Sequence, residues 1–374
     1  MLAESSTHDH SINLAGLKLI NFRNFANFQL SFDKKLVALI GSNGIGKTNI
    51  LEAISLVAAG KGLRNADIEQ LLKYDLAQKN SGWHVSLDFQ QEQLNYKFAT
   101  FKTTEHSKRN ISINDEKITK QQELSKFCNV VWLTPLMDNL FVGEKKERRK
   151  FFDRIVFNIF PEHLQNLKRY EHYLRERSKI LQQDNFQTSW LDITEAQIAD
   201  LLSSIADSRV KALQYLNAEL AENARQYPRA ILNIEGEFEQ AYLAGEAAKT
   251  IEELAKTKLK ESRSIDAQKK QTIIGVHKSD LLAIYDQKNM PAKLCSTGEQ
   301  KSLLISIIIA EARLLKAYYN RPPLLLLDEI SSHLDFTNFN FLLDNLRELG
   351  LQCFFTTNNP DLFAEKSDIQ FVNL

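Results

Sequence analysis

A chain of 374 residues, 43% hydrophobic and 25% charged, is long enough for two or three domains and has the balance of an ordinary globular protein, which excludes a disordered or fibrous chain. No apolar run reaches the length of a membrane-crossing helix, and the polar segment Met1 to Ser11 lacks the basic-then-apolar order of a secretory signal, so a cytoplasmic protein without a membrane partner is expected. The 47 basic and 47 acidic residues cancel, so any binding of nucleic acid must rest on local patches.

The first fifteen residues read as a loose tail. Leu17 to Phe22 and the alternating Phe28 to Phe32 read as a hairpin-like pair of strands. The apolar run Leu36 to Ile40 then leads into Gly41-Ser42-Asn43-Gly44-Ile45-Gly46-Lys47-Thr48 and a helix-like segment, Asn49 to Ile54. Strand, G-x-x-x-x-G-K-[ST] and helix form the arrangement of a phosphate-binding loop. Glycines let successive backbone N–H groups converge on phosphate oxygens, and the helix N-terminus adds partial positive charge. Lys47 would reach the β- and γ-phosphates, and Thr48 would hold Mg²⁺. The bland alternative is a glycine turn before a surface helix. In the next turn, Gly60 to Arg64, Arg64 could touch phosphate or sugar, or be a solvated loop arginine.

Trp83 to Phe89, Leu94 to Phe101 and Asn110 to Asn114 alternate between polar turns and read as an antiparallel meander; Val130 to Leu133 is a further strand, ending at Pro135. Residues 144 to 150 carry five basic and two acidic side chains before Phe151. Residues 162 to 182, 190 to 226 and 245 to 262 show helical spacing, which makes this region an inserted helical lobe. Thr272 to Gly275 and Leu281 to Tyr285 look strand-like, Ser302 to Ala317 is a helix apolar all round, and Leu324 to Leu327 and Cys353 to Thr356 are buried strands of a mostly parallel sheet. Cys128, Cys295 and Cys353 have no metal spacing and read as reduced, buried thiols.

Leu324 to Leu327 end in Asp328 and Glu329. Beside a phosphate loop, Asp328 would complete the Mg²⁺ shell and Glu329 would polarise the attacking water. Ser296-Thr297-Gly298-Glu299-Gln300 opens the apolar helix, again an anion site. One nucleotide cannot sit on two helix starts, so Ser296, Gly298 and Gln300 would serve a nucleotide held by another copy; the bland alternative is a Ser/Thr N-cap.

Phosphate loop, long insertion, S-T-G-E-Q, Asp-Glu strand and Ser332-His333-Leu334-Asp335, in that order, resemble the ABC-type ATPase head. The long separation of Thr48 from Ser296 points to the branch with inserted lobes. Leu19 to Phe25, Gly41 to Ile54, Gly60 to Arg64, Arg148 to Asp153, Gly275 to Leu281 and Ser296 to Asp335 together resemble the RecF family. The resemblance implies an α/β fold: a mixed, largely parallel sheet with an antiparallel β meander and an inserted helical lobe. The expected divisions are a tail at 1–15, the head at 16–140, the lobe at 141–265 and the rest of the head at 266–374.

It further implies a weak, DNA-stimulated ATPase acting mainly as a switch in DNA replication and recombinational repair and in the SOS response to DNA damage. In this picture ATP and Mg²⁺ drive a head-to-tail homodimer that clamps gapped duplex DNA without reading sequence and helps load recombinase through RecR-like and RecO-like partners. Asp335 would communicate across the dimer. Lys145, Lys146, Arg148 and Arg149 are the leading DNA-binding candidates, with Lys102, Lys108, Arg109, Lys150, Arg169, Arg175 and Arg177 behind them; for each group a solvated helix face is the alternative. An ABC transporter subunit and an ATP-regulated nuclease head are the rival readings.

Three departures from the family pattern stand out. Pro135-Leu136-Met137-Asp138 leaves Asp138 or Asn139 as weak candidates for the Q-loop role. Gly275-Val276-His277-Lys278-Ser279-Asp280 softens a usual Gly-Pro-His-Arg-Asp-Asp, and His277 is either a polar contact or a buried histidine bonded to a carbonyl. Thr356-Thr357-Asn358-Asn359 stands where many ABC ATPases place a histidine, so slow hydrolysis is expected.

Overall fold

The computed structural model describes residues 12–74, 81–105, 108–183, 188–222, 228–330, 336–358, 363 and 366–374. Two compact units divide the chain, one formed by Met1–Met137 with Ile308–Leu374 and one by Asp138–Ile307.

In chain order the first unit begins with β1 (Asn13–Phe22), β2 (Phe25–Ser31), β3 (Leu36–Ile40), α1 (Lys47–Ser55), β4 (Trp83–Gln91), β5 (Leu94–Lys102), β6 (Asn110–Ile113), β7 (Glu116–Lys117), α2 (Gln122–Phe127) and β8 (Val130–Leu133). The second holds α3 (Lys145–Ile159), α4 (His163–Leu181), α5 (Thr188–Glu222), β9 (Ala230–Glu235), α6 (Glu237–Leu243), α7 (Ala248–Glu261), α8 (Arg263–Lys269), β10 (Asp280–Tyr285) and β11 (Met290–Pro291). The chain returns to the first unit along α9 (Thr297–Tyr319) and ends with β12 (Leu324–Leu327), α10 (Phe336–Leu349), β13 (Gln352–Thr357) and β14 (Ile369–Asn373).

The hairpin β1–β2 joins the meander in one antiparallel sheet, ordered β2-β1-β4-β5-β6-β7. Only one face of it is apolar, and the alternation of Val85, Leu87 and Phe89 with exposed or polar neighbours records that. The second sheet, β14-β3-β13-β12-β8, is parallel throughout. Its central strands, Leu324–Leu327 and Gln352–Thr357, are buried at every position, which is why they read as continuous apolar runs rather than alternating ones. Gln352 stitches β13 to β1, its amide accepting from the Leu14 N–H at 2.7 Å and donating to the Leu14 carbonyl at 2.8 Å.

Three expectations need correction. The loose tail does not extend to residue 15: Ile12 and Leu14 are buried and β1 starts at Asn13, since burying a leucine stabilises by about 2 kcal/mol. Thr272–Gly275 is irregular, because Gly275 takes φ +133° and the chain turns there into the 3₁₀ segment Val276–Lys278. The inserted region also contains a sheet: β9 pairs antiparallel with β10 from Glu235↔Asp280 to Ala230↔Tyr285. That pairing carries the stretch beyond residue 265, including Ser296 to Gln300, into the second unit. β14, which pairs with the phosphate-loop strand β3, was not anticipated.

Two buried ionic networks lock the second unit. Arg177, fully buried, bonds Glu195 at 2.9 Å, Asp266 at 2.6 Å, Thr272 and the Leu259 carbonyl. Arg209 holds Asp153 and Glu239 and donates to the Val276 carbonyl. His277 donates from Nε2 to the Thr272 carbonyl and accepts the Tyr170 hydroxyl at Nδ1, both at 2.9 Å, the arrangement of a neutral buried histidine. Its pKa is pushed down to about 4, chiefly by burial.

Candidate nucleotide site

Strand β3 delivers the glycine-rich loop onto α1. Gly44 and Gly46 have φ of +84° and +120°, a region that side chains disfavour. At Gly46 space is also closed: a Cβ there would lie 2.6 Å from Phe25 Cζ and 2.7 Å from Asn24 Nδ2. The loop therefore curls tightly against the β1–β2 turn and leaves the first N–H groups of α1 without partners in their own helix.

Lys47 folds over this loop. Its ammonium donates to the carbonyls of Gly41 at 2.5 Å and Ser42 at 3.0 Å and to Asn358 Oδ1 at 2.7 Å. Burial pushes its pKa down, while the carboxylates of Glu329 and Asp328 oppose that shift. Asn358, at the end of β13, also donates to Asn43 Oδ1 at 2.7 Å, so the loop is held from the adjacent strand.

The strands β3, β12 and β13 are neighbours, so their C-terminal ends converge beside the loop. Thr48 Oγ1 donates to Asp328 Oδ1 at 2.9 Å, and Thr356 Oγ1 donates to the same oxygen at 2.7 Å. Asp328 is 4% exposed, so these two hydroxyls keep a nearly dry carboxylate hydrogen-bonded. Thr356 accepts the Glu329 N–H at 2.7 Å. Glu329 itself has φ +52° and an exposed side chain, in contrast to buried Asp328.

The donor set suits Mg²⁺. Two cis ligands at about 2.05 Å from an octahedral Mg²⁺ stand about 2.9 Å apart, the separation already found between Thr48 Oγ1 and Asp328 Oδ1. Among the described residues no group of three or more His, Cys, Asp and Glu could hold a metal, and a metal held by one hydroxyl, one carboxylate and phosphate oxygens needs none.

Asn24, Arg23 and Glu52, which have no role assigned from sequence, brace the loop together with Arg64. Asn24 donates to the Ile45 carbonyl at 2.7 Å and accepts from Asn49 at 2.8 Å. Glu52, wholly buried in α1, takes a two-pronged ion pair from Arg23 at 2.7 and 2.6 Å. Arg64 donates to Asn49 Oδ1 at 2.7 Å and stands 3.5 Å from Glu52. The available signal was the run Arg23-Asn24 beside the strand, but a polar pair in a turn has too many other uses to identify a brace.

In the second unit Ser296 and Glu299 form a capping box at the start of α9. The Ser296 N–H and Oγ each lie 2.9 Å from Glu299 Oε2, and the Glu299 N–H returns to Ser296 Oγ at 3.4 Å. Gln300 is buried and donates to the Cys295 carbonyl at 2.9 Å. Ser296 and Gly298 are exposed, and a Cβ on Gly298 would meet nothing within 4 Å. Ser332 to Asp335 lie outside the described residues, and Asp335 with them. Asp138 pairs with Lys301 at 3.3 Å.

The basic candidates divide by what they touch. Arg148 is not a free surface cation: it pairs two-pronged with buried Asp280 at 2.7 and 2.9 Å and donates to the Gly143 carbonyl. Arg149 donates to the Ser279 carbonyl at 2.7 Å, and Arg177 is entirely buried. Arg109 is turned inward to the carbonyls of Gly60 and Leu56, and Lys102 faces Glu69. Lys145 and Lys146, at the start of α3, are exposed, as are Lys108, Arg169 and Arg175.

Residues 13–373 match the model of the RecF/RecN/SMC N-terminal domain. The chain is 40% identical over 363 residues to the DNA replication and repair protein RecF of Rickettsia akari (strain Hartford), covering 96% of this chain and 99% of that protein. RecF of Rickettsia conorii matches with the same identity and coverage. Among solved structures, one described as the recombination mediator protein RecF-ATPrS in the RecFOR pathway superposes with a TM-score of 0.84 at 21% identity, covering 98% of this chain and 97% of that one. An Smc head bound to the C-terminal winged-helix domain of ScpA superposes at 0.52 and 15% identity, over 94% and 91%. Relatives matched over nearly their whole length disfavour the transporter and nuclease readings, and the chain belongs to the RecF family of DNA replication and repair proteins.

Proposed function

We propose that this protein is an ATP-switched DNA clamp: two copies close head to tail on two nucleotides, hold gapped duplex DNA, and let go after slow hydrolysis. The observation that carries this reading is the meeting of Thr48 with Asp328 beside Lys47, the arrangement that a magnesium nucleotide requires. Thr48 and Asp328 would hold Mg²⁺, which supplies charge neutralisation at the β- and γ-phosphates. Lys47 exchanges its carbonyl partners for phosphate oxygens, the N–H groups at the start of α1 receive the phosphates, and Glu329 orients the attacking water. With Thr356, Thr357 and Asn358 at the end of β13 instead of an imidazole, hydrolysis is slow.

The loop supplies half a site. Ser296, Thr297 and Gly298, exposed at the start of a 23-residue helix, supply the other half to a nucleotide on a second copy, and the open space at Gly298 admits that nucleotide. Lys145 and Lys146 meet DNA phosphates. Asp335 relays closure between the copies. The family's place in recombinational repair implies RecR-like and RecO-like partners and the cytoplasm as the compartment; among the described residues no helix is long and apolar enough to cross a membrane.

Sedimentation of Ser296→Arg with and without Mg-ATP tests the shared site. ATP binding should persist and ATP-dependent dimerisation should vanish, whereas Lys47→Met should lose both. A Ser296→Arg protein that dimerises normally refutes the shared site.

A further inference from the structure

Lys288 has no part in the site as described. It ends the turn Asp286–Lys288 between β10 and β11, with its ammonium beside the Tyr285 ring, 5.7 Å from the centroid. It pairs with Glu299 Oε1, and the two side chains are 52% and 24% exposed. A pair this open to water adds little to stability, so stability does not account for its position.

The geometry around Glu299 does. Its other oxygen accepts both the N–H and the hydroxyl of Ser296, each at 2.9 Å. The hydroxyl assigned above to a phosphate of the second copy is therefore engaged by a carboxylate of its own helix. That carboxylate also stands a hydrogen bond away from the point where an anionic phosphate must arrive. Protonation does not remove the conflict, because Lys288, then the N–H and hydroxyl of Ser296, hold the Glu299 carboxyl at about 2. The one cation bonded to the carboxylate among the described residues is Lys288, on the oxygen remote from Ser296.

We propose that Lys288 is a positioning residue of the shared nucleotide site: it neutralises Glu299 and draws its carboxylate aside when phosphate reaches Ser296, and so sets the ATP concentration at which two copies close. This rests on the shared-site reading and adds a residue to it. Removing the cation leaves a bare carboxylate beside each phosphate, and two such sites form in every dimer, so the penalty is counted twice.

The test is sedimentation velocity of the full chain across a titration with Mg²⁺ and a non-hydrolysable ATP analogue, with fluorescent-nucleotide binding by the monomer as a check on folding. Lys288→Ala should raise the half-saturating nucleotide about tenfold, and Lys288→Arg should restore it. In a Glu299→Gln background, where the charge conflict is absent, Lys288→Ala should change it less than about twofold. A Lys288→Ala protein that closes at the parent's concentration, or one that loses as much in the Glu299→Gln background, overturns the role of Lys288. If Ser296→Arg also closes normally, the shared site itself fails; if Ser296→Arg does not close while Lys288→Ala is indistinguishable from the parent, only the role of Lys288 falls.

Discussion

Replacing Asn24 by alanine separates bracing of the phosphate loop from stability of the sheet beneath it. Asn24 sits exposed in the β1–β2 turn and makes two bonds, to the Ile45 carbonyl at 2.7 Å and from Asn49 at 2.8 Å. Each is worth about 1 kcal/mol net. The first fixes the loop residue before Gly46; the second fixes the first turn of α1. Since Gly46 already lies against the Asn24 and Phe25 side chains, the truncation opens a gap where the backbone must curl most tightly.

If both bonds act on loop geometry, Asn24→Ala costs about 2 kcal/mol of nucleotide binding, or about thirtyfold in affinity. Urea unfolding should move by no more than about 2 kcal/mol, the worth of these two bonds, because the turn is exposed and no apolar side chain is removed. Fluorescent-ATP titration and urea unfolding on the same preparation make the comparison. Affinity within threefold of the parent, with stability lowered instead, would refute the claim that Asn24 acts on the loop.

Lys145→Gln with Lys146→Gln should reduce the slope of log affinity for duplex DNA against log salt by about two per chain; an unchanged slope removes these lysines from the interface. Arg148→Gln should instead lower stability by about 3 kcal/mol, because buried Asp280 loses its two-pronged partner and keeps only the exposed Lys145 at 3.8 Å, and a folded variant that only weakens DNA binding would contradict that. Arg177→Met leaves Asp266 buried without its cation, while Glu195 keeps only Arg263, and should cost about 3 kcal/mol, read as a lower thermal midpoint with early proteolysis within residues 138–307. His277 titrates at about 4 when folded, below its ordinary 6.5. The unfolded chain therefore binds that proton more readily between these values: the stability linked to His277 is present above pH 6.5 and is lost as pH falls to 4, by up to about 3 kcal/mol. Urea midpoints at pH 7.5 and 5 should differ less in His277→Gln than in the parent, and an equal difference would locate the pH dependence elsewhere.

Local chemistry made much of this protein legible from its residues. The glycines of the loop, the Lys-Thr pair, the four leucines before Asp328 and the alternation of the meander each carry a backbone or burial requirement that residue type alone satisfies. What a short window could not show was partnership over distance. Arg148 and Arg177 read as surface cations because their carboxylates, Asp280, Glu195 and Asp266, come from other elements. β9 alternates over only six residues amid helical sequence, and β14 declares itself only by lying beside β3. The tail's last residues join β1 because the Gln352 amide, 338 positions away, captures the Leu14 backbone.

The same division holds at the site. Residue types alone determined that a tight glycine-rich turn and an acidic strand end exist, since the loop's φ values demand glycine and a continuous apolar run demands burial on both faces. Only the tertiary structure decided that Thr48 and Thr356 share one Asp328 oxygen, that Asn24 grips the loop, and that Glu299 engages both Ser296 and Lys288. Each of these is a hydrogen bond or ion pair whose strength depends on separations of a few tenths of an ångström, and the packing of sheets and helices sets those separations.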